Sequence, residues 1–215
     1  TFWRDEYRLN EKIYNYPKPY IALMQGFVMG GGVGVSCHGS HRIVCETSKI
    51  AMPECGIGLV PDVGGSLILA RAPGKLGEYL GTTGARMDAG NAIYAGFADT
   101  FVASDKWETL LAQLITTGSP TCIKEFASPA PVATFKDLQS AIDVCFETKD
   151  LLAIRAALLN ANTEFSIKAA KQIDQKSPLS AAATPTLIAR VRAKNSIEAA
   201  LSLEYNFTYR AAEHG

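Results

Sequence analysis

Lys18-Pro19-Tyr20-Ile21-Ala22-Leu23-Met24-Gln25-Gly26-Phe27-Val28-Met29-Gly30-Gly31-Gly32-Val33-Gly34 reads as a buried strand, a turn, and then three consecutive glycines opening a helix. That order aims backbone N–H groups and the positive end of a helix at one point, where an anion that forms would be stabilised. Side chains are nearly absent there, so a ligand can approach the main chain closely. Three familiar motifs fail on this stretch. A dinucleotide fingerprint G-x-G-x-x-G would need its third glycine at Val35 or Cys37. A phosphate loop would need Gly-Lys followed by Ser or Thr, a tripeptide found nowhere in the chain. The nucleophile elbow G-x-S-x-G is approached by Gly34-Val35-Ser36-Cys37 but meets His38 where its last glycine belongs.

Working outward, Phe2 to Asn15 has large apolar residues at roughly helical spacing and is stopped by Pro17, which predicts a partly buried helix. On the other side, Arg42–Cys45 and Lys49–Met52 read as short strands joined by the polar Glu46-Thr47-Ser48. Glu54 stands just beyond the second strand, after Pro53. The following Cys55 to Gly65 is glycine-rich and apolar except for Asp62, the composition of a segment that lines something. Helices are predicted over 66–71, 75–83 and 89–95, punctuated by Gly74, Gly84 and Gly96, with one more short strand at 98–102. Fifteen of the 18 glycines lie between Gly26 and Gly90, so unusual backbone demands concentrate in the first half. From Ser104 onward the pattern is helical, with apolar stripes such as Trp107, Leu110, Leu111 and Leu114. Ser177-Pro178 opens a helix, and Asn195-Ser196-Ile197-Glu198 resembles a capping box for a final one reaching Ala212.

Composition sets the outer limits. With 215 residues, 47% hydrophobic and 20% charged content and zero formal net charge, the chain has enough apolar material for a large core and no basic excess for nucleic acid. No apolar run reaches the roughly eighteen residues of a membrane span. Five cysteines without C-x-x-C spacing argue against a disulfide framework and against a zinc site. His38 and His41 share a helix face if that helix continues, but two histidines without further ligands read as structural.

Tyr20-Ile21-Ala22-Leu23 through Gly30-Gly31-Gly32, then Met52-Pro53-Glu54, Gly56-Ile57-Gly58, Pro61-Asp62-Val63-Gly64-Gly65 and Thr83-Gly84-Ala85-Arg86-Met87 together resemble the enoyl-CoA hydratase/isomerase, or crotonase, superfamily. Within it the chain is most similar to 3-hydroxyisobutyryl-CoA hydrolases. The resemblance is carried by the order and spacing of these motifs between about Phe2 and Val102, and continues more weakly around Ser177-Pro178-Leu179-Ser180 and Glu204-Tyr205.

The resemblance implies an α/β fold: a spiral of ββα turns over residues 1–103, incomplete at its N-terminus, followed by a C-terminal helical region over 104–215. It implies action on acyl-CoA thioesters, with coenzyme A as part of the substrate and no metal or redox cofactor. The thioester oxygen is expected between two backbone N–H groups, one of them matching Gly31, with Gly30 beside it. The second belongs to an upstream Ala-Gly-Gly-Asp-like segment. Thr1 to Tyr7 resembles the helix after that segment, so an N-terminal β-rich part and a short C-terminal piece are expected outside these residues. Hydratases of the superfamily carry two glutamates, matching Gly34 and Glu54, and a dienoyl-CoA isomerase adds an acid matching Asp62. Hydrolases pair Glu54 with Asp62 and leave Gly34 without an acid, as here.

Catalysis is therefore expected from Glu54, Asp62 and Gly31, with Gly30, Gly31, Glu54 and Asp62 binding substrate. An acyl-CoA is the expected partner, without nucleic acid or membrane. A homo-oligomer is compatible with the resemblance, as is either bacterial cytoplasm or mitochondrial matrix. Two other readings stay open: a hydratase or isomerase of the same superfamily, and a non-catalytic acyl-CoA-binding homologue.

Overall fold

The computed structural model describes residues 2–214. Helix α1 (Phe2–Tyr14) leads into β1 (Ile21–Met24), β2 (Phe27–Met29) and α2 (Gly31–Ser36), then β3 (His41–Val44) and β4 (Lys49–Ala51). A 3-10 turn at Glu54–Ile57 follows, then α3 (Gly65–Arg71), α4 (Leu76–Thr83), α5 (Ala89–Tyr94) and β5 (Thr100–Phe101). The remainder is helical: α6 (Trp107–Thr117), α7 (Ile123–Phe126), α8 (Thr134–Cys145), α9 (Leu151–Ala161), α10 (Glu164–Asp174), α11 (Pro178–Lys194) and α12 (Ile197–His214).

The predicted single strand before the glycines is two. Gly26, at φ 61, breaks it into β1 and β2, and the halves join different sheets. β1 pairs in parallel with β3, in register Ile21 with His41, and β3 pairs with β5; β2 pairs in parallel with β4, Phe27 opposite Lys49. The chain therefore rises through two stacked turns of strand, strand and helix, which is why β3 and β4 do not form a hairpin. Side chains of β3 alternate across the sheet, as a strand requires. Val44 enters the main core, while Ile43 joins a smaller cluster with Val102, Leu110, Cys122 and Ile123.

The main core runs from Tyr7 to Leu201, so residues from the first and last helices share it. Tyr79 on α4 makes edge contacts with Phe135, Phe146 and Phe165, tying α8 and α10 to the glycine-rich half. Three expectations change. The α2 helix ends at Ser36, leaving His38 in the turn and His41 on β3, so the histidines share no helix face. Leu111 is exposed beside buried Leu110, which narrows the stripe on α6. The α12 cap is Ser196, whose Oγ accepts from the Ala199 N–H, while Asn195 instead ends α11 in a left-handed conformation at φ 48.

All five cysteines are buried free thiols. Among the described residues, no cluster of His, Cys, Asp and Glu is arranged to hold a metal ion, and no helix is long and apolar enough to cross a membrane.

Candidate active site

Among the described residues three glutamates are buried, and their surroundings differ. Glu78 on α4 receives a two-pronged ion pair from Arg192 on α11, at 2.6 and 2.8 Å. Glu204 on α12 accepts from the backbone N–H of Gly64 at 2.8 Å, from the N–H of Ser66 at 3.2 Å and from the Ser66 hydroxyl. Glu54 is 4% exposed, and neither carboxyl oxygen has a hydrogen-bond partner on another residue. A buried polar group left unpaired costs folding on the order of 1–3 kcal/mol, more if charged. Glu78 and Glu204 repay their burial by joining α4 to α11 and α12 to α3. Glu54 joins nothing, so stability does not account for it. Burial first, and the negative charge of Asp62 second, push its carboxyl well above the ordinary carboxylate range, against a smaller lowering by its own backbone N–H.

Local structure fixes where this carboxyl points. Pro53 ends the extended run after β4, and the 3-10 turn then closes on Gly58, left-handed at φ 85. The turn brings Glu54 Oε1 to 3.3 Å from the position a Cβ would take on Gly30. Gly30 caps α2 at φ 54 and ψ −123, a conformation that L side chains rarely adopt. In the first turn of α2 the Val33 N–H already bonds back to the Gly30 carbonyl at 2.8 Å, while the N–H groups of Gly31 and Gly32 have no acceptor within the helix. Thus the carboxyl and the open helix start meet across a glycine with no side chain between them. Glu6 of α1 lies on the other side, its Oε1 3.1 Å from a Cβ position on Gly31.

Asp62 is held differently. It sits on the turn between the 3-10 segment and α3, 6% exposed, and its Oδ2 accepts from the Tyr7 hydroxyl at 2.8 Å. Burial pushes its carboxyl up to about 6, opposed mainly by the Tyr7 donor. The next residue, Val63, has φ 52, an uncommon backbone for a β-branched residue. Hydrogen bonds on both sides hold it: His38 Nε2 donates to the Val63 carbonyl at 2.8 Å, and Glu204 accepts from the Gly64 N–H.

Position 34 is sterically closed. A Cβ on Gly34 would stand 2.7 Å from Asn10 Nδ2 and 2.7 Å from the Val63 Cβ, closer than real Cβ atoms come. Asn10 is itself fully buried with both amide atoms unpartnered.

Of the residues expected from the sequence, Gly30 and Glu54 are brought into direct proximity, Gly31 follows at the helix start, and Asp62 stands on the adjoining turn. Tyr7 and Asn10 escaped sequence reasoning as site residues, and Glu204 entered it only through the weaker helical resemblance, without a role. Tyr7 and Glu204 lie 55 and 142 positions from Asp62 in the chain, and the only signal for Asn10 was a polar residue on the apolar face of a helix. A cavity of about 510 Å³ between α11 and α12 is lined by Val60, Leu187, Leu203 and Phe207 with Arg190 and Arg210, and contains none of Gly31, Glu54 and Asp62. The candidate site is therefore the unpartnered Glu54 carboxyl beside Gly30.

A family model described as enoyl-CoA hydratase/isomerase matches residues 1–215. The mitochondrial 3-hydroxyisobutyryl-CoA hydrolase of Rattus norvegicus is 35% identical over 222 residues, covering 98% of this chain and 57% of its own length. Its Homo sapiens counterpart is 34% identical over 219 residues, covering 97% and 56%. Among solved structures, an enoyl-CoA hydratase from Rhodobacter sphaeroides 2.4.1 is 50% identical with TM-score 0.92, over 99% of this chain and 61% of that one. A carnitinyl-CoA dehydratase from Mycobacterium thermoresistibile is 41% identical with TM-score 0.95, over 99% and 63%. The chain thus spans somewhat more than half the length of these relatives.

Proposed function

The chain belongs to the enoyl-CoA hydratase/isomerase family, with the ββα spiral its motifs implied, and from that premise we propose that the protein hydrolyses an acyl-CoA thioester, with 3-hydroxyisobutyryl-CoA as the substrate. The observation that carries this reading is the unpartnered, buried Glu54 carboxyl beside the Gly30–Gly31 helix start.

The reaction adds water across the thioester C–S bond and gives 3-hydroxyisobutyrate and free coenzyme A. The carbonyl oxygen takes up negative charge as the carbonyl carbon becomes tetrahedral, and in this reading the Gly31 N–H is a donor that stabilises it. Glu54 supplies the oxygen chemistry at that carbon. Burial raises its pKa and so makes it a better proton acceptor, and it either draws a proton from the attacking water or attacks directly to form an anhydride that water then opens. Trapping with hydroxylamine separates the two routes. Asp62 orients the 3-hydroxyl of the substrate or shares the proton work.

Hydration of an enoyl-CoA is the second reading, favoured by the name of the 50%-identical Rhodobacter sphaeroides protein. The closed position 34 speaks against it, because the resemblance assigns the second glutamate of hydratases there and this chain has no room for one. The similarity to hydrolases at 34–35% identity supports the first reading. Release of free coenzyme A from 3-hydroxyisobutyryl-CoA by the intact protein tests it, and a folded protein that releases none contradicts it.

A further inference from the structure

The ionisable groups that face Asp62 come from three elements. Glu54 stands on the 3-10 turn, Glu204 on α12, and Glu6 and Tyr7 on α1. Three of these four are carboxyls, which oppose a negative charge on Asp62. Of the four, Tyr7 alone donates a hydrogen bond to it, alongside the backbone N–H of Asp62 itself. The Tyr7 hydroxyl has one proton and two acceptors in reach, Asp62 Oδ2 at 2.8 Å and Thr208 Oγ1 at 3.4 Å. The shorter contact, to an acceptor that carries charge when ionised, takes the proton. The ring is fixed independently by an edge contact with Tyr205, centroids 6.1 Å apart, and is itself buried.

We infer that Tyr7 is a positioning residue for Asp62: its hydroxyl fixes the orientation of that carboxyl and lets it ionise among three neighbouring carboxyls. The first helix thereby takes part in the chemistry of a turn 55 residues later. Glu204 complements it by pinning the backbone of the same turn at Gly64 and Ser66. Burial drives the Asp62 carboxyl upward and the Tyr7 donor holds it back, in keeping with this role. The relevance to catalysis rests on the proposed hydrolase reading; the effect on Asp62 itself does not.

The test is therefore made on Asp62 directly as well as through activity. In the intact protein labelled with ¹³C at aspartate carboxyls, the Asp62 signal is assigned by its loss in Asp62→Asn and titrated in wild type and Tyr7→Phe. A hydrogen bond to a charged group is worth about 1.5–3 kcal/mol, so its removal raises the Asp62 midpoint by about one to two pH units. The acid limb of the pH–rate profile for coenzyme A release moves by the same amount. A residue that only packed would lower turnover and leave both midpoints in place. If Tyr7→Phe does not fold, 3-fluorotyrosine at position 7 provides a stronger donor of nearly the same shape, and the midpoint falls. An unmoved Asp62 midpoint in the folded variant overturns the inference whatever the protein hydrolyses. A moved midpoint in a protein that hydrolyses no thioester upholds it and rejects the hydrolase reading alone.

Discussion

Glu54 Oε1 lies 3.3 Å from the point where a side chain on Gly30 would begin. Gly30 is thus constrained twice, by its φ of 54 and by the carboxyl it faces. An alanine there meets the cost of a backbone conformation that L residues rarely adopt, about 1–3 kcal/mol, and presses its methyl on Glu54. Gly30→Ala is expected to keep the fold with a lower Tm and to lose coenzyme A release far beyond the loss in stability. Thermal unfolding and turnover measured on the same samples check this, and normal turnover in the variant would separate Gly30 from the site.

Glu54→Gln keeps shape and removes the ionisable group. Proton-transfer side chains contribute typically about 10²–10⁴-fold, so hydrolysis should fall at least a hundredfold while substrate affinity is largely kept. Folding raises this carboxyl above its ordinary 4.5, so the stabilisation from holding its proton is present below that pH and is lost as pH rises; the variant does not titrate and should gain stability relative to wild type with rising pH. Activity that survives, or a variant that unfolds, contradicts the role assigned to Glu54.

Much of this arrangement was legible before the structure. The strand, glycine and helix order around Gly31 and the Pro53-Glu54 and Pro61-Asp62 pairs are local signals, set by turn chemistry and short-range patterning. The split at Gly26 was not, because a strand that changes sheets and one that continues have the same apolar pattern, and only the pairing with β3 and β4 distinguishes them. Tyr7 read as an apolar residue on an amphipathic helix, and its bond to Asp62 depends on how α1 and α12 pack. The closure of position 34 is a tertiary fact as well. The sequence shows a glycine, whereas Asn10 and Val63 show why it is one.

Asp62 predicts a pH dependence of stability. Its carboxyl rises from the ordinary 3.8 to about 6 on folding, so the folded state holds the proton more tightly than the unfolded one. The stabilisation this gives is fully present below about pH 3.8 and is lost as pH rises through about 6, a change of about 3 kcal/mol. Asp62→Asn does not titrate. Its stability relative to wild type should therefore increase between pH 4 and pH 7, measured by urea unfolding at each pH, and a constant difference across that range contradicts the placement of Asp62.

The most direct measurement compares two rates in the intact protein: coenzyme A release from 3-hydroxyisobutyryl-CoA and hydration of crotonyl-CoA. The buried Glu54 carboxyl beside Gly30, with position 34 closed by Asn10 and Val63, predicts that thioester hydrolysis is the faster by orders of magnitude and is abolished in Glu54→Gln. Faster hydration of crotonyl-CoA, or hydrolysis undiminished in Glu54→Gln, would contradict it.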